Sequence, residues 1–331
     1  MFRRQISTCC ATAMMIAAVL GSAPPAGAAD FPNKPVTVVV GYAAGGPTDV
    51  LMRAIAPRLS SAWQQPVVVD NRPGANEILA AQLVSKAPPD GHTLLLSTEA
   101  PLTQNQFLYR KLNYNPETDF SPVTLLLKSP LALVVQATTP ANTLQEFIAL
   151  ARTRATTRPL SYGSAGTGGV LHLPMAMFAK QKDLSMTHVP YKGLAPLIND
   201  LLAGHLDAAW MAVAGAAPHV RDGKLKALVV DAPTRSRSMP RVPLLTEVDA
   251  TPIHASFIFA IQAPAGTPAT VNEKIATAIR EIVADAEFRE KHLEPYGFFA
   301  ITSTPAELAA YLAEDRPRQA ERIKASGAAL D

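Results

Sequence analysis

Two glycine-rich segments carry the clearest capacity for chemistry in this sequence: Gly45-Gly46-Pro47-Thr48-Asp49 in the first half and Ser164-Ala165-Gly166-Thr167-Gly168-Gly169 in the second. Each stands between a β-branched run and an amphipathic stretch, so each reads as a strand-to-helix turn. A helix N-terminus leaves about four N–H groups unpaired and carries partial positive charge, which together can hold a carboxylate without lysine or arginine. Hydrogen bonds to a charged group contribute about 1.5–3 kcal/mol each, and a micromolar complex needs about 8 kcal/mol net. A few converging donors therefore suffice. Ordinary tight turns explain either segment alone about as well, but two of them in separate halves favour an anion site.

Residues for other chemistry are scattered. The seven histidines (His92, His172, His188, His205, His219, His254 and His292) never fall at the spacing of two zinc ligands on one helix turn. Each reads as structural. Ser164 lacks the first glycine of a nucleophile elbow, and no catalytic dyad is visible. Gly163 to Gly169 does not spell a dinucleotide fingerprint, and Gly223-Lys224 has no phosphate-loop context. The expectation is a non-enzyme with no catalytic residue, cofactor or metal site.

The elements that must position these turns follow from length and pattern. The 331 residues are 48% hydrophobic, 17% charged and 6% aromatic, which excludes disorder and collagen-like repeats. Single cores stop growing near roughly 250–300 residues, so two lobes are expected. The first 29 residues read as a secretory signal peptide, with cationic Arg3-Arg4, an apolar run from Cys9 to Leu20 and Ala26-Gly27-Ala28 for cleavage. That run is shorter than the roughly 20 residues that span a bilayer. Both cysteines, Cys9 and Cys10, lie in it, so the mature chain has no thiol for a disulfide, nucleophile or metal. Removing the two leader arginines takes the formal charge from +3 to +1, leaving no basic footprint for nucleic acid.

Beyond the leader, short β-branched runs alternate with amphipathic stretches, as in βαβ units of a mostly parallel α/β sheet. Strands are expected at Val36 to Val40, Val67 to Val69, His92 to Leu96, Val123 to Leu127, Leu131 to Val135, Thr187 to Pro190, Leu206 to Met211, Leu225 to Val230 and Phe257 to Ile261. Thr143-Leu144-Gln145-Glu146 is a capping box, and Thr304-Pro305-Ala306-Glu307 marks the last helix start.

Several segments in one order resemble the Bug family of periplasmic solute-binding receptors, the TctC-like components of tripartite tricarboxylate transporters. They are Phe31-Pro32-Asn33-Lys34-Pro35, Gly45-Gly46 with Thr48-Asp49, Val67 to Ala75, Pro89 to Leu95, His188 to Gly193 and Ala263 to Pro268. The resemblance covers Asp30 to Asp331. It implies a two-lobed periplasmic-binding-protein fold, type II-like, with two crossovers and a ligand cleft between the lobes. Residues 30–130 plus 254–331 would form the first lobe and 131–253 the second. It also implies that Gly45, Gly46, Thr48 and Asp49 form one anion-binding turn, with Ser97, Thr98 and Glu99 beside it. Ser164, Gly166, Thr167 and Gly168 would face them, with Tyr191, Lys192 and Gly193 nearby. Asp49 reads better as a helix cap than as a ligand contact.

The partners so implied are a small organic acid and the membrane permease subunits of a tripartite transporter, met by a periplasmic monomer. A sensor feeding a membrane signalling partner uses the same cleft and is the alternative, with a secreted hydrolase third. Departures from the family pattern bear on the ligand: Asn76-Glu77 where relatives carry glycine, Gly169-Val170, Glu99, and Met211 beside Trp210. They suggest an acid with an apolar or aromatic body, or an amino-bearing acid, rather than citrate.

Overall fold

The computed structural model describes residues 31–191, 193–249, 253 and 255–328. The expected signal peptide, Lys192 and His254 lie outside the described residues. β1 (Val36–Val40), α1 (Pro47–Trp63), β2 (Val67–Asn71), α2 (Ile78–Ser85) and β3 (Thr93–Ser97) wind so that β1 lies between β2 and β3 and is parallel to both. The continuous apolar runs of β1 and β3 suit strands covered on both faces. α1 buries Leu51, Met52, Ile55 and Leu59 against them.

α3 (Asn105–Leu108) precedes β4 (Phe120–Gln136), which corrects the expectation of two strands there: it is one strand of 17 residues. Lys128-Ser129-Pro130 interrupts the apolar pattern but not the backbone pairing. α4 (Leu144–Arg154), β5 (Leu160–Ser164), α5 (Leu173–Gln181), β6 (Met186–Pro190), α6 (Leu194–Ala203), β7 (Ala208–Ala212), α7 (Val213–Arg221) and β8 (Leu225–Asp231) follow. The remainder is α8 (Leu245–Val248), β9 (Ser256–Pro264), α9 (Ala269–Ala284), α10 (Ala286–His292), β10 (Phe299–Ala300) and α11 (Pro305–Ser326).

Phe120 to Pro130 of β4 pairs with β9, and β9 with β3, whereas Leu131 to Gln136 pairs with β7 and β8. β5 runs parallel to β6 and β7. Two half-sheets therefore share one strand, in the order β2-β1-β3-β9-β4-β7-β5-β6. The pairings of β4 and β9 are antiparallel, a departure from the mostly parallel expectation, because strands that pass between lobes run against the neighbours they meet.

Thr304 and Glu307 exchange both bonds of the expected capping box, whereas the one expected at Thr143 is half made: Thr143 accepts from the Glu146 N–H at 3.1 Å, but Glu146 Oε2 takes the Asn142 N–H. α11 continues through Pro317 and packs on β4 and α5. Trp210 and Met211 point to opposite faces of β7, and each is fully buried in a different core cluster. Met211 is thus core, and its apolar character says nothing of a pocket.

Candidate functional site

The first turn forms because β1 ends against a backbone that only glycine adopts freely: Gly45 stands at φ +83. Its N–H donates to Asp49 Oδ2 at 2.8 Å, and the Gly46 N–H reaches Ala43 O. Burial works to raise the Asp49 carboxyl, but the bonds from Arg53 and Gly45 outweigh it and hold the group below its ordinary range. Asp49 therefore staples the turn. The expected Gly45 and Gly46 donors are taken internally. The next two amides, Thr48 and Asp49 in the first turn of α1, have no protein acceptor among the described residues.

β1 and β3 are in register at Val40 and Leu96, so Ser97, Thr98 and Glu99 emerge beside that turn. Ser97 Oγ is buried without a partner. Glu99 turns toward the lobe-linking strand β9, where Oε1 accepts from the Ile258 N–H at 2.9 Å. Its other oxygen is unpaired and faces a polar cavity of about 50 Å³ lined also by Ser256, Tyr311 and Asp315. Burial, then the nearby Asp315, push Glu99 up to about 8.

Thr98 is already occupied: its N–H lies 3.2 Å from both oxygens of Glu77, and its hydroxyl donates to Oε1. Glu77 is 1% exposed, and burial pushes its carboxyl up to about 7 against the bonds from Thr98 and Tyr42. It was not among the expected site residues.

The second turn is built on a stack of rings. Ser164 Oγ lies 2.7 Å from His188 Nε2 and donates to Gly166 O at 2.9 Å. His188 packs on both Tyr162 and His172, with ring centroids 5.0 and 3.9 Å away, and those two rings are themselves 6.1 Å apart. The Gly168 N–H donates to His172 Nδ1 at 3.0 Å, which fixes that nitrogen as bare. Burial, then the neighbouring His188, pull His172 down to about 4, and burial also lowers His188. Both rings are neutral near pH 7. The helix expected directly after the glycines starts at Leu173, and the Gly166 and Gly168 amides bond Ser164 Oγ and His172 instead of pointing outward. No carboxylate of the described residues hydrogen-bonds His188, so the Ser164–His188 pair braces the turn.

Tyr191 donates its N–H to Ser164 O and its hydroxyl to Asp200, at 2.8 and 2.6 Å. Gly193, at φ +111, opens α6. The two turns meet. Asn76 Nδ2 donates to Thr167 O at 3.3 Å, and Gly168 abuts Leu108 of α3. The loops at the carboxyl ends of β1, β2, β3 and β5 are thus linked through Glu77, which touches Gly41 and Thr98, and Asn76, which touches Thr167. Sequence reading set His172 and His188 aside as isolated, because only the β5–β6 register, with Tyr162 opposite His188, reveals their partners.

The family model described as "Tripartite tricarboxylate transporter family receptor" matches residues 51–328. Protein BugT of Bordetella pertussis is 30% identical over 317 residues, 95% of each chain. An R. palustris protein solved with adipate superposes with a TM-score of 0.83 at 30% identity, covering 91% of this chain and all of that one. MatC from Rhodopseudomonas palustris, solved with bound malate, gives 0.77 at 30% identity, covering 88% and 100%. The periplasmic binding protein BugD superposes with a TM-score of 0.80 at 29% identity, covering 91% of this chain and all of that one, which supports a two-lobed periplasmic-binding-protein fold and a solute-binding role. With more than half its length matched by that model, the chain belongs to the tripartite tricarboxylate transporter receptor family, as a Bug/TctC-like solute-binding protein.

Proposed function

We propose that this receptor captures a small organic acid outside the cytoplasmic membrane and delivers it to the permease subunits of a tripartite tricarboxylate-type transporter. The observation that carries this reading is the pair of first-turn amides of α1, Thr48 and Asp49, without a protein acceptor among the described residues, in a half of the chain whose Asn76 touches Thr167 of the second turn. The signal peptide over residues 1–29 supplies the export route. The two lobes comprise residues 30–130 plus 254–331 and residues 131–253, hinged in β4 and β9. Thr48, Ser97 and Thr167 supply hydroxyls, the glycines at 45, 46, 166 and 168 shape the two turns, and Tyr191 and Gly193 edge the second. Carboxylates bound by the structural neighbours favour the same ligand class.

Mass analysis of small molecules released from freshly purified, denatured protein tests the proposal, followed by thermal melting with a panel of organic acids. A ligand at a hundred times its Kd should add about 2.7 kcal/mol of stability. Thr48→Val should weaken that binding about tenfold, the value of one charge-assisted hydrogen bond. Release of no acid, together with no melting shift across the panel, would overturn the reading.

A further inference from the structure

The order β2-β1-β3 makes the crevice between the carboxyl ends of β1 and β3 a topological switch point, the place where open α/β sheets receive ligands. In this chain a side chain already fills it. Ala75, Asn76 and Glu77 stand at φ +47, +50 and +67, three successive non-glycine residues in the left-handed region. Such backbone persists where surroundings over-determine it, and it clusters at ligand clamps. The outcome here is to carry Glu77 inward against Gly41, where an added Cβ would lie 2.6 Å from the Glu77 side chain. Glu77 then takes the Thr98 N–H, the Thr98 hydroxyl and a bond from Tyr42. Its neighbour Asn76 touches Thr167 of the opposing turn, which puts Glu77 one residue from the contact between the two halves.

Resting on the organic-acid reading above, we infer that Glu77 is a built-in carboxyl group that occupies the donors of the first-lobe switch point, and that the ligand is therefore a monocarboxylic acid. The ligand's one carboxylate is left to the Thr48 and Asp49 amides and the second turn, and its other end is neutral or an amine. A second carboxylate at that end would meet Glu77 where donors have already been used.

The test is titration calorimetry of matched pairs, aliphatic mono- and dicarboxylates of equal carbon count from four to eight, plus benzoate and phthalate, which share one ring. Wild type, Glu77→Gln and Glu77→Gly are compared. Glycine relieves the left-handed backbone at this position, and thermal melting confirms that each variant is folded. Wild type should bind a monocarboxylate at least tenfold more tightly than its dicarboxylate partner. Glu77→Gln should narrow that ratio, and Glu77→Gly should shift it at least tenfold toward the dicarboxylate. A wild-type protein that prefers a dicarboxylate, or a ratio unmoved in Glu77→Gly, overturns the inference while leaving the receptor reading intact. No binding of any acid by any of the three proteins overturns both.

Discussion

Replacing Gly168 with alanine asks whether the second turn closes on α3 in the ligand-bound protein. The glycine stands at φ +72, and an added Cβ would lie 2.5 and 2.7 Å from the Leu108 methyl groups. Those methyls are packed in a buried cluster with Leu173 and Ile323 and have little room to withdraw. Two costs must be separated. Left-handed backbone costs alanine about 1–2 kcal/mol whether the lobes are together or apart. The overlap with Leu108 arises only when the second turn presses on α3, and overpacking of this kind costs about 1–3 kcal/mol. A cost confined to the closed state weakens ligand binding by about 5- to 150-fold. Gly223 provides the control: at φ +70 with nothing within 4 Å of its added Cβ, Gly223→Ala carries the backbone cost alone. Calorimetry and melting of both variants should show similar losses of thermal stability without ligand but a weakened Kd only in Gly168→Ala. Equal Kd values in the two variants would refute closure across this contact.

Three further outcomes follow from the same structure. His172 titrates near 4 when folded and near 6.5 when unfolded, so the unfolded chain binds the extra proton between those values. Stability should fall as pH drops through that window, by up to about 3 kcal/mol, and His172→Gln should flatten the limb in urea titrations; equal slopes would count against it. Glu99 has the opposite sign, because its raised value of about 8 makes the folded chain the better proton binder above roughly pH 4.5. That contribution is present at low pH and lost as pH rises through about 8, so the melting-temperature advantage of Glu99→Gln over wild type should be larger at pH 9 than at pH 5. Thr304→Ala removes the cap of α11 and should cost about 1 kcal/mol in urea unfolding, with Thr304→Ser near neutral; an unchanged midpoint for the alanine variant would show the cap to be idle.

What could be read from the sequence was local. Thr143 and Thr304 announced their helices because a cap satisfies donors within four residues, and Gly45 announced its turn because few other residues take that backbone. β4 was divided at Lys128-Ser129-Pro130 because polarity and proline normally end a strand, whereas Ser129 and Pro130 remain opposite Phe257 and Ser256. Glu77 drew attention only as a departure from glycine, since its burial depends on contacts with Gly41 and Thr98 on two other strand ends. The histidine stack was hidden for the same reason. Residues 16 positions apart became ring neighbours through a register that no local pattern encodes.

The unbroken β4 also bears on the mechanics of unloading. Its ladder irregularities fall at Pro122/Thr124, Leu125/Leu127 and Leu133/Val134, and none coincides with the change of partners after Pro130. With no slack at that junction, rotation of one half against the other must be taken up as torsion along a continuous hydrogen-bonded ribbon. Such a ribbon resists and recoils, so in the proposed capture cycle part of the free energy gained on binding would be held as elastic twist, available to reopen the molecule when the cargo leaves.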